Sequence, residues 1–187
     1  NLLLLSHSYP SKDSPWTTSF IGFYSEEIAK LVETSILIPH TENAIQYENL
    51  EIFSFDPGSR DSISHKKIGK DHKNISFLNK IIFFLKCFLK LYNIHRTKKF
   101  DLIHAHWCLP SGFIACILSK FTKTKVAITT HGRDVINSKE VGYDVCENKL
   151  LRFLTRWTLK NADIVINTSP TTEKATKELY NKANTIS

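Results

Sequence analysis

Hydrophobic positions along the chain fall into two kinds of segment that alternate. Short, mostly apolar runs, of which residues 2–5 are the clearest, are typical of buried parallel strands. Longer segments repeat apolar residues three or four positions apart, as helices with one covered face do. The predicted strands are 2–5, 35–38, 52–55, 101–105, 126–130 and 163–167, and the predicted helices are 20–31, 76–96, 110–120, 147–160 and 171–180. This alternation predicts an α/β fold: a Rossmann-like parallel sheet with helices on both faces, in one domain, 1–187.

The helix predicted over 76–96 stands apart because it is apolar on most of its surface. Its polar residues form a narrow stripe of Asn79, Lys86, Lys90 and Asn93, and a polar, lysine-rich segment, 60–74, precedes it and is predicted to be a mobile loop. The helix either rests on an anionic membrane surface or is a core helix with solvated lysines. We favour the core helix, because a helix covered by neighbours is equally apolar.

Polar residues follow the predicted strands where ligands bind in sheets of this kind, outside the carboxyl ends. Four of the eight histidines lie there: His7, His104, His106 and His131. Ser169 follows the last predicted strand. This clustering is the main functional signal that the residues themselves give.

The segment from His131 to Asp134 has the chemistry of a site for a polyhydroxylated ligand. Gly132 lacks a Cβ, so a ligand or a backbone can approach closely. The His131 imidazole can donate to a sugar hydroxyl or a phosphate oxygen, and the Asp134 carboxylate can accept from a hydroxyl. The alternative is a turn in which the histidine satisfies a backbone carbonyl.

His104 and His106 should lie on the same side of a strand, since side chains alternate with a period of two. Together with His131 they could bind a metal ion, contact a ligand directly, or form the base of a cleft. No aspartate or further histidine follows at close spacing to complete a metal site. We therefore expect no metal.

Composition narrows the function classes. The formal net charge of +7 favours contact with anions. The four cysteines show no CxxC pair and no zinc spacing, which favours buried thiols in a reducing compartment. No nucleic-acid motif accompanies the charge, so no nucleic-acid partner is expected. No signal peptide and no apolar run long enough to span a membrane is evident.

Three segments in order resemble the signatures of family 4 glycosyltransferases. The segment 101–110 (DLIHAHWCLP) is similar to D-hydrophobic-I-H-x-H, the segment 126–134 (VAITTHGRD) to T-x-H-G-x-D, and the segment 161–169 (NADIVINTS) to A-D-hydrophobic-V-I-x-x-S. The resemblance implies the N-terminal, acceptor-side half of a GT-B fold. It further implies sugar transfer from a nucleotide donor with retention of configuration, without an essential metal or other cofactor.

The resemblance also implies roles for individual residues. His131 is expected to be catalytic and to face the donor sugar, with His106, Gly132, Asp134 and Ser169 as substrate-binding residues. Ser19 is a further substrate-binding candidate, in a loop where the family often has a glycine that approaches the donor phosphate.

We expect the chain to be truncated at both ends. It contains no methionine and opens inside an apolar run, and it ends at 184–187, where the resemblance places a strand that leads to an interdomain linker. The nucleotide-sugar donor would then bind mostly to a second, C-terminal domain that these residues do not include.

The sequence as a whole predicts a glycosyltransferase that uses a nucleotide-sugar donor and a saccharide or lipid-linked acceptor. Its expected location is cytoplasmic, with peripheral attachment to the anionic inner face of the cell membrane. Two alternatives stay open. One is a metal-dependent hydrolase that uses His104, His106 and His131, and the other is a non-catalytic remnant that binds a saccharide.

Overall fold

The computed structural model describes residues 1–58, 77–137 and 148–187, in two compact units, Asn1–Phe100 and Asp101–Ser187. The loop predicted over 60–74 and the residue Cys146 lie outside the described residues. The first turn predicted for the helix 147–160 lies partly outside them as well.

The N-terminal unit is built on three parallel strands. The continuous apolar run at the start of the chain forms β1. Leu4 of β1 pairs with Ile36 of β2, the middle strand of the three, and Ile36 pairs with Ile52 of β3. Leu3, Leu4, Ile36 and Leu37 are fully buried, as expected of strands covered on both faces. The elements of this unit are β1 (Leu2–Leu5), α1 (Ser19–Ala29), β2 (Thr34–Pro39), β3 (Leu50–Phe55) and α2 (Phe77–Lys98).

The C-terminal unit repeats the alternation with four parallel strands in chain order. Ile103, Val126, Ile128 and Val165 form the buried centre of its strands. The elements are β4 (Leu102–His106), α3 (Phe113–Ser119), β5 (Lys125–Thr130), α4 (Lys149–Asn161), β6 (Ile164–Asn167), α5 (Pro170–Leu179) and β7 (Thr185–Ile186). The predicted α/β, Rossmann-like fold class is confirmed.

The start of α3 differs from the prediction of a helix over 110–120. The helix begins at Phe113, after an irregular turn, Cys108–Gly112. Inside that turn Leu109 is extended, with φ −127° and ψ 139°. A residue before proline is disfavoured in the helical region, and Pro110 has no N–H to donate, so the helix starts after them.

Within the described residues, helix α2 is covered on one face only. Phe83, Cys87, Leu91 and Ile94 form its buried stripe, and the Phe83 ring meets Phe55 of β3 edge-on at a centroid distance of 5.1 Å. Other apolar side chains of the helix face solvent: Phe77 is 70% exposed, Leu78 62% and Leu89 56%, with Ile81, Leu85 and Tyr92 also exposed. The favoured interpretation of α2 as a core helix is wrong for this face.

Candidate functional site

The carboxyl ends of β4 and β5 bring three imidazoles together in the C-terminal unit. The strands pair in register, His104 opposite Ala127 and His106 opposite Thr129. The rings of His104 and His106 stack at a centroid distance of 4.8 Å, and those of His106 and His131 at 5.3 Å. The predicted same-side placement of His104 and His106 is confirmed. We call these three residues the imidazole cluster.

Hydrogen bonds fix the orientation of the rings in this cluster. His104 Nε2 lies 2.7 Å from the Thr129 hydroxyl, and His106 Nδ1 lies 3.1 Å from His131 Nε2. In the bond between two neutral imidazoles one nitrogen donates and the other accepts. Where His106 Nδ1 carries the proton, His131 accepts at Nε2 and its own Nδ1 becomes a donor. The state of His106 therefore sets the tautomer of His131.

Trp107 is a member of the site that sequence reasoning did not single out. Its ring lies 4.5 Å from the His131 ring, centroid to centroid, at an angle of 40°. Its backbone has φ 70°, a region that bulky residues avoid. Backbone bonds from Trp107 N to Thr129 O, 2.9 Å, and from Gly112 N to Trp107 O, 3.0 Å, hold it there. Strained backbone conformations of this kind concentrate at functional sites.

Asp134 anchors the cluster from inside. One carboxylate oxygen accepts from Cys108 N at 2.9 Å and the other from His131 N at 3.0 Å. The residue is only 5% exposed. Burial raises the pKa of its carboxyl group, and the hydrogen bonds from the Cys108 and His131 backbones oppose that rise. This carboxylate therefore links the ends of β4 and β5, and a substrate contact for Asp134 stays a prediction.

Gly132 is required by the backbone of the turn. Its φ is 95°, a value that L side chains rarely adopt. Its carbonyl accepts from Val135 N and Ile136 N, which closes the turn. A Cβ at this position would meet Ile136 Cδ1 at 3.5 Å, an ordinary contact, so conformation and not space selects glycine here.

Burial sets the protonation of the cluster. Loss of solvation lowers the pKa of His104 to about 4, and the same effect, together with the nearby His104, lowers that of His131 to about 4. Both rings are therefore neutral near pH 7. A neutral imidazole offers one donor and one acceptor, which suits hydrogen bonding to hydroxyl groups better than it suits proton donation.

The two predicted serine contacts have different surroundings. Ser169 is the N-cap of α5: its hydroxyl accepts from Thr172 N at 3.2 Å, and the Thr172 hydroxyl accepts from Ser169 N at 3.0 Å. This reciprocal cap stabilises the start of α5, and a substrate contact for Ser169 stays a prediction. Ser19 belongs to the N-terminal unit, where it is the first residue of α1.

A metal-dependent hydrolase would need His104, His106 and His131 to share one metal ion. Within residues 1–58, 77–137 and 148–187, no three histidine, cysteine, aspartate or glutamate side chains are arranged to hold a metal ion. His104 Nε2 lies 2.7 Å from the Thr129 hydroxyl. Across the same residues, no helix combines the length and apolarity needed to cross a membrane.

Solved structures with this fold include sugar-nucleotide enzymes. Sucrose-phosphate synthase from Thermosynechococcus elongatus matches 100% of the chain at 18% identity and a TM-score of 0.68. Os79 from O. sativa, solved in complex with UDP, matches 97% at 9% identity and a TM-score of 0.59. UDP-GlcNAc 2-epimerase from Methanocaldococcus jannaschii matches 99% at 11% identity and a TM-score of 0.57. At these identities the likeness concerns the fold alone.

The chain spans about half the length of these structures: 47% of the synthase, 50% of Os79 and 44% of the epimerase. No curated protein matches it. The family model for Glycosyltransferase Family 4 matches residues 25–186, which include both strand ends of the imidazole cluster. The chain therefore belongs to Glycosyltransferase Family 4.

Proposed function

We propose that the protein containing this chain transfers a sugar from a nucleotide-sugar donor to a saccharide or lipid-linked acceptor, with retention of anomeric configuration. In this proposal the chain is the acceptor-side domain and His131 faces the donor sugar. The observation that carries the proposal is the placement of His131 at the carboxyl end of β5, with its Nε2 3.1 Å from His106 Nδ1 and its ring 4.5 Å from that of Trp107.

The protonation state of His131 selects between two chemical roles. With a pKa of about 4, only about one molecule in a thousand carries the imidazolium at pH 7. Proton donation by this ring is therefore a minor path. Where His106 Nδ1 donates to His131 Nε2, the neutral His131 ring keeps an N–H that can donate to a sugar hydroxyl. An N–H donor of this kind can also stabilise the negative charge that develops on the departing diphosphate.

The surroundings of His131 supply the rigidity that such a role requires. Asp134 holds its backbone N–H, His106 holds one ring nitrogen, and Trp107 packs on the ring. A positioned donor contributes most when its geometry is set before the substrate arrives, because no reorganisation is then needed during the reaction.

We propose further that α2 attaches the protein to the anionic inner face of the cell membrane, from the cytoplasmic side. The exposed apolar face of α2 supports this, because Phe77, Leu85 and Leu89 lie where no part of the described chain covers them. Helix α2 carries no acidic residue, and Lys80 and Lys90 lie on the same helix. Each cation near an anionic surface contributes about 1 kcal/mol.

Product stereochemistry tests the transfer reaction. The full-length protein is incubated with a panel of nucleotide sugars and saccharide acceptors, and the anomeric configuration of the product is determined by NMR. We expect the configuration of the donor to be retained, and an inverted product would overturn that part of the proposal. Saccharide binding without transfer from any donor would instead favour a non-catalytic saccharide-binding protein.

The 187-residue chain produced alone provides the companion measurement. It should transfer no sugar, because the proposal assigns most donor contacts to a second domain. Turnover of a nucleotide sugar by this chain would contradict the assignment of donor binding.

A further inference from the structure

Helix α4 and the end of α5 form a cleft that the imidazole cluster does not use. Its volume is about 950 Å³. One wall is the outer face of α4, and the other is the last turn of α5 with the residues that follow it. The lining includes Lys149, Arg152, Phe153, Arg156, Trp157, Lys160, Lys177, Glu178, Tyr180 and Lys182.

The cleft is strongly cationic. Six of these lining side chains are lysine or arginine, against one carboxylate, Glu178. Within the described part of the chain, no carboxylate forms a salt bridge with Arg152, Arg156 or Lys160. These three residues follow one another at i, i+4 spacing on α4, so they form a row with a rise of about 6 Å between neighbours. A row of uncompensated cations favours an extended ligand with repeated negative charges.

Aromatic rings lie beside this row. Trp157 is half-buried and packs in a T-shaped arrangement with Phe113 of α3, with ring centroids 5.3 Å apart at 70°. Tyr180 is half-buried on the opposite wall, and Phe153 is 62% exposed. The faces of aromatic rings are negatively polarised and attract C–H groups, so they suit the C–H-rich face of a sugar ring.

The cleft lies away from the imidazole cluster within the same unit. Helix α5 starts at the carboxyl end of β6, with Ser169 as its N-cap, and runs back toward the amino ends of the strands. Its last turn, next to Tyr180, is therefore at the opposite end of the sheet from His106 and His131. A ligand bound here does not occupy the candidate reaction site.

We propose that this cleft binds an acidic saccharide chain, a segment of a carboxylated or phosphorylated glycan whose other end is free to reach a reaction site. The site is concave and has aromatic side chains on both walls, which favours a chain-like ligand over a flat bilayer. The saccharide identity rests on the proposed function, whereas the anionic character rests on Arg152, Arg156 and Lys160 alone.

The test measures binding of hexagalacturonate to the full-length protein by calorimetry, with neutral maltohexaose as the uncharged comparison. The variant Arg152→Gln/Arg156→Gln removes two cations of the row. Lys120→Gln/Lys123→Gln removes the same charge from exposed positions of the same unit outside the cleft. Melting temperatures of both variants establish that the fold is intact, and transfer to a neutral acceptor is measured on the same preparations.

We expect hexagalacturonate to bind with an affinity that falls as salt is added, and maltohexaose to bind far more weakly. The cleft variant should lose about tenfold in affinity, and the control variant should match the wild type. Equal binding by both variants would overturn the proposal. So would tighter binding of an oligothymidylate at this row, or loss of anionic-vesicle binding by the cleft variant while hexagalacturonate still binds. Intact hexagalacturonate binding with no sugar transfer would contradict the proposed function only.

Discussion

The two units present different helices to solvent. Helix α2 of the N-terminal unit exposes leucine and phenylalanine, and its Lys86 is paired with Asp56 at 2.7 Å. Helix α4 of the C-terminal unit exposes a row of cations beside aromatic rings, and no carboxylate of the described residues forms a salt bridge with Arg152, Arg156 or Lys160. Both helices are basic and neither contains an acidic residue. The comparison teaches that charge content alone does not identify a partner: the apolar face suits a bilayer and the cationic cleft suits a polyanion.

The largest effect should come from the imidazole cluster of the C-terminal unit, where the proposed function places the reaction. In the full-length protein, His131→Ala should lower kcat by about 10²–10³, because one positioned donor at developing charge is lost. His40→Ala is the matched control, since His40 is an exposed histidine of the N-terminal unit. A His131→Ala enzyme with a rate close to wild type, or an equal loss in His40→Ala, would break the contrast between the units.

The pH dependence of stability should report the burial of His104 and His131. His104 and His131 have a pKa of about 4 in the folded protein, against about 6.5 when unfolded. Between these values the unfolded state binds more protons, so the free energy of unfolding falls as the pH drops from 6.5 to 4. We expect a loss on the order of 2–3 kcal/mol for each of the two histidines across this window, or roughly 5 kcal/mol in total.

Urea unfolding at several pH values measures this loss. The double variant His104→Gln/His131→Gln should flatten the slope relative to the wild type. An unaltered slope in the double variant would show that these rings titrate normally in the folded protein.

The membrane proposal gives the next effect. Leu85→Glu/Leu89→Glu places two charges in the exposed face of α2 and should weaken binding to anionic vesicles by at least about tenfold, since the burial of each leucine is lost. Leu150→Glu alters an α4 leucine that is 55% exposed. Sedimentation with vesicles should show no effect of this second change. If Leu150→Glu weakened vesicle binding and the α2 variant did not, the membrane-binding surface would belong to the C-terminal unit.

Structural features that depend on the residues of one segment could be predicted from the sequence. Features that depend on which other elements cover that segment could not. The strands were found because buried parallel strands are continuously apolar, as in 2–5 and 126–130. The pairing of His104 with His106 followed from the period of two. The open face of α2 was missed because a helix that is apolar all round does not show which side is packed.

Two features of the site also needed coordinates. Asp134 accepts from Cys108 N, 26 positions away, a contact that no local spacing encodes. The contact between Trp107 and His131 depends on a positive φ, which the identity of a tryptophan argues against. Ser169 was a recognisable cap signal, a serine before Pro170, but it was interpreted as a ligand contact.

The smallest effect should be that of the α5 cap. Ser169→Ala should lower the free energy of unfolding by about 1 kcal/mol while kcat/KM stays near wild type. Asn148→Ala removes the cap of α4, where the side chain accepts from Leu150 N and Leu151 N, and should cost a similar amount. Chemical denaturation and steady-state kinetics provide both readouts. A large loss in kcat/KM for Ser169→Ala but not for Asn148→Ala would support a substrate contact by Ser169.

Because the Asp134 carboxylate joins the ends of β4 and β5, the proposed reaction site forms only when these two strands pair in the correct register. A molecule with β5 displaced by one residue along β4 would separate Cys108 N from His131 N and leave a buried charge without one of its donors, a state that costs several kcal/mol. Misaligned molecules are therefore both unstable and unable to align His106 with His131. The specific activity of a preparation should then be proportional to its fraction of correctly folded molecules, and partly active forms should not be populated.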